Sequence, residues 1–266
     1  MIQQCPSHPL SRILLMADKS SIEWTEATWN PTTGCDRISL GCDNCYALNL
    51  AKRLKAMGVK KYQMDGDPKT SGPGFGIQCH EDALDIPHRW KKSRLVFVNS
   101  MSDLFHPEVP FSFIERVFEI MASTPRHTYQ VLTKRSKRLV GVAEKLPWPE
   151  NIWMGVTVEN ARYAFRADHL RATPAAVKFI SAEPLLGQLN MDLEGLDWVI
   201  AGGESGKGFR PVEEDWLLAL RDDCQEANVD FFFKQWGGHT PKAGGRELDG
   251  RLWNQKPLFD IKEKVR

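Results

Sequence analysis

The sequence predicts an α/β protein built on parallel strands, a complete or partial TIM-type (βα) barrel. Near-continuous apolar segments of strand length alternate with amphipathic helices, and their spacings suit βαβ crossovers. No GxGxxG follows the first strand, which points away from a dinucleotide-binding Rossmann sheet. The 266 residues, 42% hydrophobic and 26% charged, suffice for one large α/β domain or two small ones. A core of that size needs no disulfides.

The elements follow in order. Residues 1–19 read as a disordered extension, with patterned sequence beginning after Met16 and Cys5 left without a role. The barrel domain spans 20–237 and begins with an extended, aromatic-rich segment, IEWTEATWNP. A cysteine-bearing loop follows. Ala47, Leu50, Leu54 and Met57 then recur at helical spacing from about Tyr46, and Gly58 stops that helix. Residues 59–93 are polar and glycine-rich, an excursion placed to cover a site, with a weak strand at 76–79. Leu95 to Val98 form a buried strand, and Pro110 opens a helix that lines up Ile114, Val117, Phe118 and Met121 on one face. TYQVLTKRS (strand), SKRLVGVAEKL (helix), NIWMGVTVEN (strand) and NARYAFRADHLRA (helix) continue the alternation. VKFISAEPLLG and LDWVIAGGESG are strands, a helix follows Pro211, and VDFFFKQWG is the last strong strand. The tail, 238–266, reads as a small hairpin or loop capping one end.

Composition narrows the function classes. A net charge of +1, from 35 basic and 34 acidic residues, argues against a dedicated nucleic-acid coat and leaves room for a local basic groove. Six cysteines, three of them clustered, are not a secreted disulfide framework, so a reducing cytoplasm is the expected compartment. No apolar run is long enough to span a bilayer, so no membrane partner is expected. Oligomeric state is not legible.

Each strand ends in chemically capable residues: Asn99, Ser100, Ser102 and Asp103; Lys134 and Arg135; Glu159 and Asn160; Ser181 and Glu183; Glu204 and Ser205; Lys234 and Gln235. In a parallel barrel all these ends share one rim, where active sites are built. Taken singly, each has a structural reading as a helix cap or a solvated charge. Six strand ends together are poorly explained that way.

Cys35, Cys42 and Cys45 open onto the same rim, with Tyr46 just after them. Three thiolates hold a metal centre and leave one position open, as a catalytic centre needs. The alternative is a closed zinc site, with Cys79 or His80 as fourth ligand, that staples the excursion to the barrel. Cys224, on an amphipathic helix, reads as a small core residue.

The loop resembles the cluster loop of radical S-adenosylmethionine (SAM) enzymes. Beyond it, IEWTEATWNPTTGC, GCDNCYA, FVNSMSDLFH, VLTKRS, MGVTVEN, FISAEPLLG, WVIAGGESG and FFFKQWG together resemble a phage and bacterial family of unknown function regarded as radical-SAM-like. The resemblance covers the chain from about Ser20 to Gly237. Six residues separate the first two cysteines where the common radical SAM pattern has three, and Asn44 stands where an aromatic residue usually precedes the third cysteine. The Gly-Gly-Glu of this chain, Gly202 to Glu204, comes late instead of after the second strand.

The resemblance implies a radical-SAM-like barrel and a radical SAM-type enzyme. Cys35, Cys42 and Cys45 would hold a [4Fe–4S] cluster, with SAM on the fourth iron and an electron-donor protein as partner. Tyr46, Asn99, Ser100, Ser102, Asp103, Lys134, Glu159, Glu183 and Glu204 are the candidate SAM-binding residues. Phage occurrence suggests a nucleic acid or nucleotide substrate. Lys134, Arg135, Arg162, Arg166, Arg210 and Lys234 would bring positive charge for phosphates, or pair with the rim glutamates. Trp236 and Phe209 would stack a base. Two other readings stay open: a zinc-stapled barrel acting as a hydrolase or lyase, and a non-catalytic nucleic-acid-binding phage protein.

Overall fold

The computed structural model describes residue 20 and residues 22–257. The expectations for residues 1–19, including those for Cys5 and Met16, lie outside the described residues.

Seven parallel strands form one open sheet in the order β1 (Ala27–Trp29), β4 (Leu95–Val98), β5 (Thr128–Thr133), β6 (Ile152–Thr157), β7 (Val177–Ala182), β8 (Trp198–Gly202) and β9 (Asp230–Gln235). β1 and β9 are its edges, so the barrel is partial. A small antiparallel pair, β2 (Thr32–Thr33) with β3 (Gln78–Cys79), ties the excursion to the segment after β1. The first long helix, α1, runs from Tyr46 to Ala56, and Gly58 follows it with φ +73°, the left-handed stop its position predicts. A short helix, α2 (Ile86–Arg89), closes the excursion.

Crossover helices α3 (Phe111–Ser123), α4 (Ser136–Val142), α5 (Phe165–Arg171) and α6 (Glu214–Glu226) cover the outer face. The expected stripe on α3 is buried: Ile114, Val117, Phe118 and Met121. Cys224, on α6, is buried in the main core, as its helix face predicts. The helix expected from Asn160 starts later. Asn160 accepts a hydrogen bond from the Arg162 backbone N–H and caps a single 3₁₀ turn, after which α5 begins at Phe165. Between β7 and β8 there is no helix among the described residues. Leu185, Leu189, Leu193 and Leu196 bury themselves in the core along that connection instead.

The inner face is aromatic at its foot. Trp24, Phe97, Trp153, Phe179, Trp198 and Phe232 form a separate buried cluster, mostly in edge-to-face contacts. Gly155 makes room for it, since a methyl there would lie 2.4 Å from the Phe179 ring. The tail turns through Asp249 and Gly250, both at positive φ, between β10 (Glu247–Leu248) and β11 (Arg251–Leu252). It then lies antiparallel on the β9 edge, where Trp253 O accepts from Phe233 N–H and Gln255 N–H donates to Phe231 O. Among the described residues no helix is long and apolar enough to cross a membrane.

Candidate metal centre

The cysteine loop starts from the edge of the sheet. After β1, Asn30 accepts at Oδ1 from the Met101 backbone N–H, and Thr32 Oγ1 shares a 2.6 Å hydrogen bond with Ser102 Oγ. The segment beyond β4 thus holds the start of the loop. Gly34 (φ +90°) is where the chain turns toward Cys35, and a methyl there would lie 2.1 Å from the Gly76 carbonyl oxygen. No other residue type fits both the dihedral and the contact. Cys42 ends a 3₁₀ turn (Leu40–Cys42), and Cys45 immediately precedes α1, so the chain's local structure fixes both positions.

Three carboxylates from three strand ends grip this loop, each with an arginine. Asp103, beyond β4, accepts from Thr133 Oγ1 (2.7 Å), the Lys134 N–H (3.1 Å) and Arg135 Nη1 (3.2 Å). Arg135 in turn donates to Cys35 Sγ at 3.3 Å and to the Asp36 carbonyl at 3.3 Å. Glu159, beyond β6, is fully buried; it accepts from Ser39 Oγ of the loop and pairs with Arg166 at 2.8 Å. Its side chain also packs on Gly41, where a methyl would come within 2.7 Å of Glu159 Cγ. Glu204, beyond β8, takes a two-pronged contact from Arg210 (2.6 and 3.0 Å) and accepts from Asn44 Nδ2 at 2.8 Å. Arg210 also donates to the Leu40 carbonyl at 2.8 Å. Burial works against the charge on Glu204, but the bonds from Arg210 and Asn44 outweigh it and hold its carboxyl below the ordinary range.

Asp36 is propped from two sides, by Thr70 Oγ1 of the excursion at 2.6 Å and His106 Nε2 at 2.8 Å. His106 Nδ1 accepts from the Glu108 N–H, so Nε2 carries the proton that goes to Asp36. Asp36, His106 and Glu108 lie within single-ion donor range of one another. Both ring nitrogens of His106 are already engaged, and the group serves as a hydrogen-bonded prop.

The remaining predicted residues face elsewhere. Side-chain alternation carries the inner face up from Leu132, Trp153, Phe179 and Phe232 to Lys134, Thr157, Ser181, Glu183 and Lys234. Thr157 is paired with Ser181 across β6 and β7, Lys134 Nζ donates to Thr157 Oγ1 at 3.3 Å, and Lys234 Nζ meets Glu183 at 2.5 Å. Tyr46 is exposed and donates to the Ser100 carbonyl at 2.5 Å, while Ser100 Oγ bonds Asn30. Asn99 (φ +61°) is buried, with its Nδ2 unpartnered among the described residues.

Of the arginines expected to offer charge to phosphates, Arg135, Arg166 and Arg210 are paired with Asp103, Glu159 and Glu204. Trp236 donates to the Glu247 carbonyl and packs edge-on to Phe233, and Phe209 packs on His239. Ser39 and the Asp36–His106 pair were not anticipated, because their partners lie 120 and 70 residues away in sequence and no local pattern announces them.

The donor set is sulfur-rich: all three thiols are half-buried, a set that suits an iron–sulfur centre as well as zinc, and among the described residues no group of three ligand atoms within 4.8 Å of one another includes them. His80, a candidate fourth ligand, shares a 2.8 Å hydrogen bond with Thr33, and Cys79 packs against the main core. Burial, aided by the Asp103 charge, pushes the Cys35 thiol up to about 12, while Arg135 pulls it down. A cationic centre at the loop would favour its thiolate in the same direction as Arg135.

A model of the family described as "Protein of unknown function (DUF5131)" matches residues 19–257. The chain belongs to this family. The motifs ordered between Ser20 and Gly237 all fall inside that span. None of the curated proteins matches the sequence. Among solved structures, the chain is similar to spore photoproduct lyase complexed with dinucleoside spore photoproduct, at 12% identity and a TM-score of 0.44, over 81% of this chain and 65% of that one. A variant of that lyase with bound AdoMet and dinucleoside spore photoproduct matches at 13% identity and a TM-score of 0.43, over 82% of this chain and 66% of that one. The DUF5131 chain thus spans about 65% of the length of the first of these lyases.

Proposed function

We propose that this DUF5131 chain is a radical SAM-type enzyme, with Cys35, Cys42 and Cys45 as ligands of a [4Fe–4S] cluster. The observation that carries this reading is the set of three half-buried thiols on one loop, gripped over the rim by Asp103–Arg135, Glu159–Arg166 and Glu204–Arg210. When bound, a cluster with an open iron supplies reductive cleavage of SAM and hydrogen abstraction from a substrate.

The candidate SAM-binding residues divide by what they already touch. Ser102, Asp103, Glu159 and Glu204 position the loop. Lys134, Glu183, Tyr46, Ser100 and the unpartnered amide of Asn99 are the groups we assign to SAM itself. A lysine suits the SAM carboxylate, and Glu183 suits a ribose hydroxyl or the ammonium group. The excursion, 59–93, shields the loop through β2–β3 and the Gly34–Gly76 contact and limits water around Cys35. We assign a nucleotide or nucleic acid as substrate, the inner-face lysines Lys134 and Lys234 supplying charge for phosphate, and an electron-donor protein as reductant.

Anaerobic purification with iron, sulfide and zinc analysis, and EPR of the reduced protein with and without SAM, tests the proposal. About four irons per chain and a signal that changes on adding SAM are expected. One zinc, no iron and no response to SAM would overturn it in favour of the zinc-stapled barrel.

A further inference from the structure

Arg135 is a cation that reaches a cysteine sulfur. Its Nη1 lies 3.3 Å from Cys35 Sγ and 3.2 Å from the Asp103 carboxylate, and its Nη2 holds the Asp36 carbonyl. Cys42 instead has the neutral Ser39 hydroxyl at 3.7 Å, and that hydroxyl gives its proton to Glu159. The Cys35 and Cys42 thiols are therefore inequivalent.

Arg135 is also fixed independently of the loop. Asp103 is itself held by Thr133 Oγ1 and by the backbone N–H groups of Lys134 and Phe105, so two adjacent strand ends aim the guanidinium. Both side chains are more than nine-tenths buried. In such surroundings a positive charge beside a ligand sulfur acts at low effective dielectric. Reduction adds one negative charge to a cluster, and hydrogen bonds and nearby charge at the sulfurs are among the factors that set its potential.

We propose that Arg135 is a positioning residue that raises the reduction potential of the centre through its N–H···S contact with Cys35. This rests on the cluster reading of the three cysteines. Asp103 tempers the effect, since its carboxylate offsets part of the charge while holding the donor in place.

The test is an EPR-monitored redox titration of the anaerobically purified full chain, wild type against R135K, R135Q and R135M, with iron content and urea unfolding measured alongside. The midpoint potential is expected to shift to more negative values in R135Q and R135M, with R135K between them and wild type. If R135M loses its iron, R135K and R135Q decide: a potential more negative than wild type in either supports the inference, and wild-type potential in both overturns it. Wild-type potential in an iron-loaded R135M overturns the inference and leaves the cluster reading standing. So does loss of iron from all three variants, the charge-retaining R135K included, which would mark a purely steric role. Zinc in place of iron in the wild type overturns the cluster reading first, and the inference with it.

Discussion

On one side of the rim, Asp103, Glu159 and Glu204 each hold an arginine and a piece of the cysteine loop. On the inner face, Glu183 meets Lys234 and stands with Lys134, Thr157 and Ser181 above the aromatic foot. All four acids come from strand ends and look interchangeable in sequence. Their difference is one of partners: Asp103, Glu159 and Glu204 pair with arginines where the cysteine loop is gripped, whereas Glu183 pairs with a lysine of the inner face.

The comparison breaks first at Glu159. Glu159→Ala leaves Arg166, 3% exposed, as an unpaired buried charge, and should cost about 3–5 kcal/mol in urea unfolding, with loss of metal from the loop. Glu204→Gln is milder, because Arg210 is 35% exposed and water can replace part of the contact. About 1–3 kcal/mol is expected, with reduced iron content as the readout. Lys134→Met and Glu183→Gln sharpen the contrast: stability should fall by no more than about 1–2 kcal/mol, while SAM affinity by equilibrium dialysis falls at least about tenfold, the worth of one hydrogen bond to a charged group. Strong destabilisation by either would assign them to the scaffold. Smallest of all, Cys79→Ala should leave metal content unchanged, whereas a closed zinc site using that thiol would lose its ion.

The sequence made much of this legible. Near-continuous apolar runs place the parallel strands, because a strand buried on both faces has little choice of composition. The position of Cys35, Cys42 and Cys45 after the first strand brings them to the rim. The left-handed stop at Gly58 and the buried Cys224 follow from local pattern as well. What stayed hidden is the pairing of charges. Ser39 finds Glu159 across 120 residues and Asn44 finds Glu204 across 160, and a residue's type at a strand end does not say which way its carboxylate turns. Arg166 and Arg210 illustrate the point: both offered themselves equally as phosphate donors and as partners of the rim glutamates, and the fold uses them as partners.

The tail lying along β9 has a consequence for handling the protein. An open sheet carries two edges with unsatisfied backbone groups, each a template on which another chain can add a strand. β1 keeps its edge to three residues, and on β9 the groups of Phe231 and Phe233 are spoken for by Trp253 and Gln255. A chain truncated before Trp253 would present an aromatic strand, Asp230–Gln235, to its neighbours. Its failure would appear as self-association growing with concentration, visible by light scattering while the cysteine loop itself stays intact.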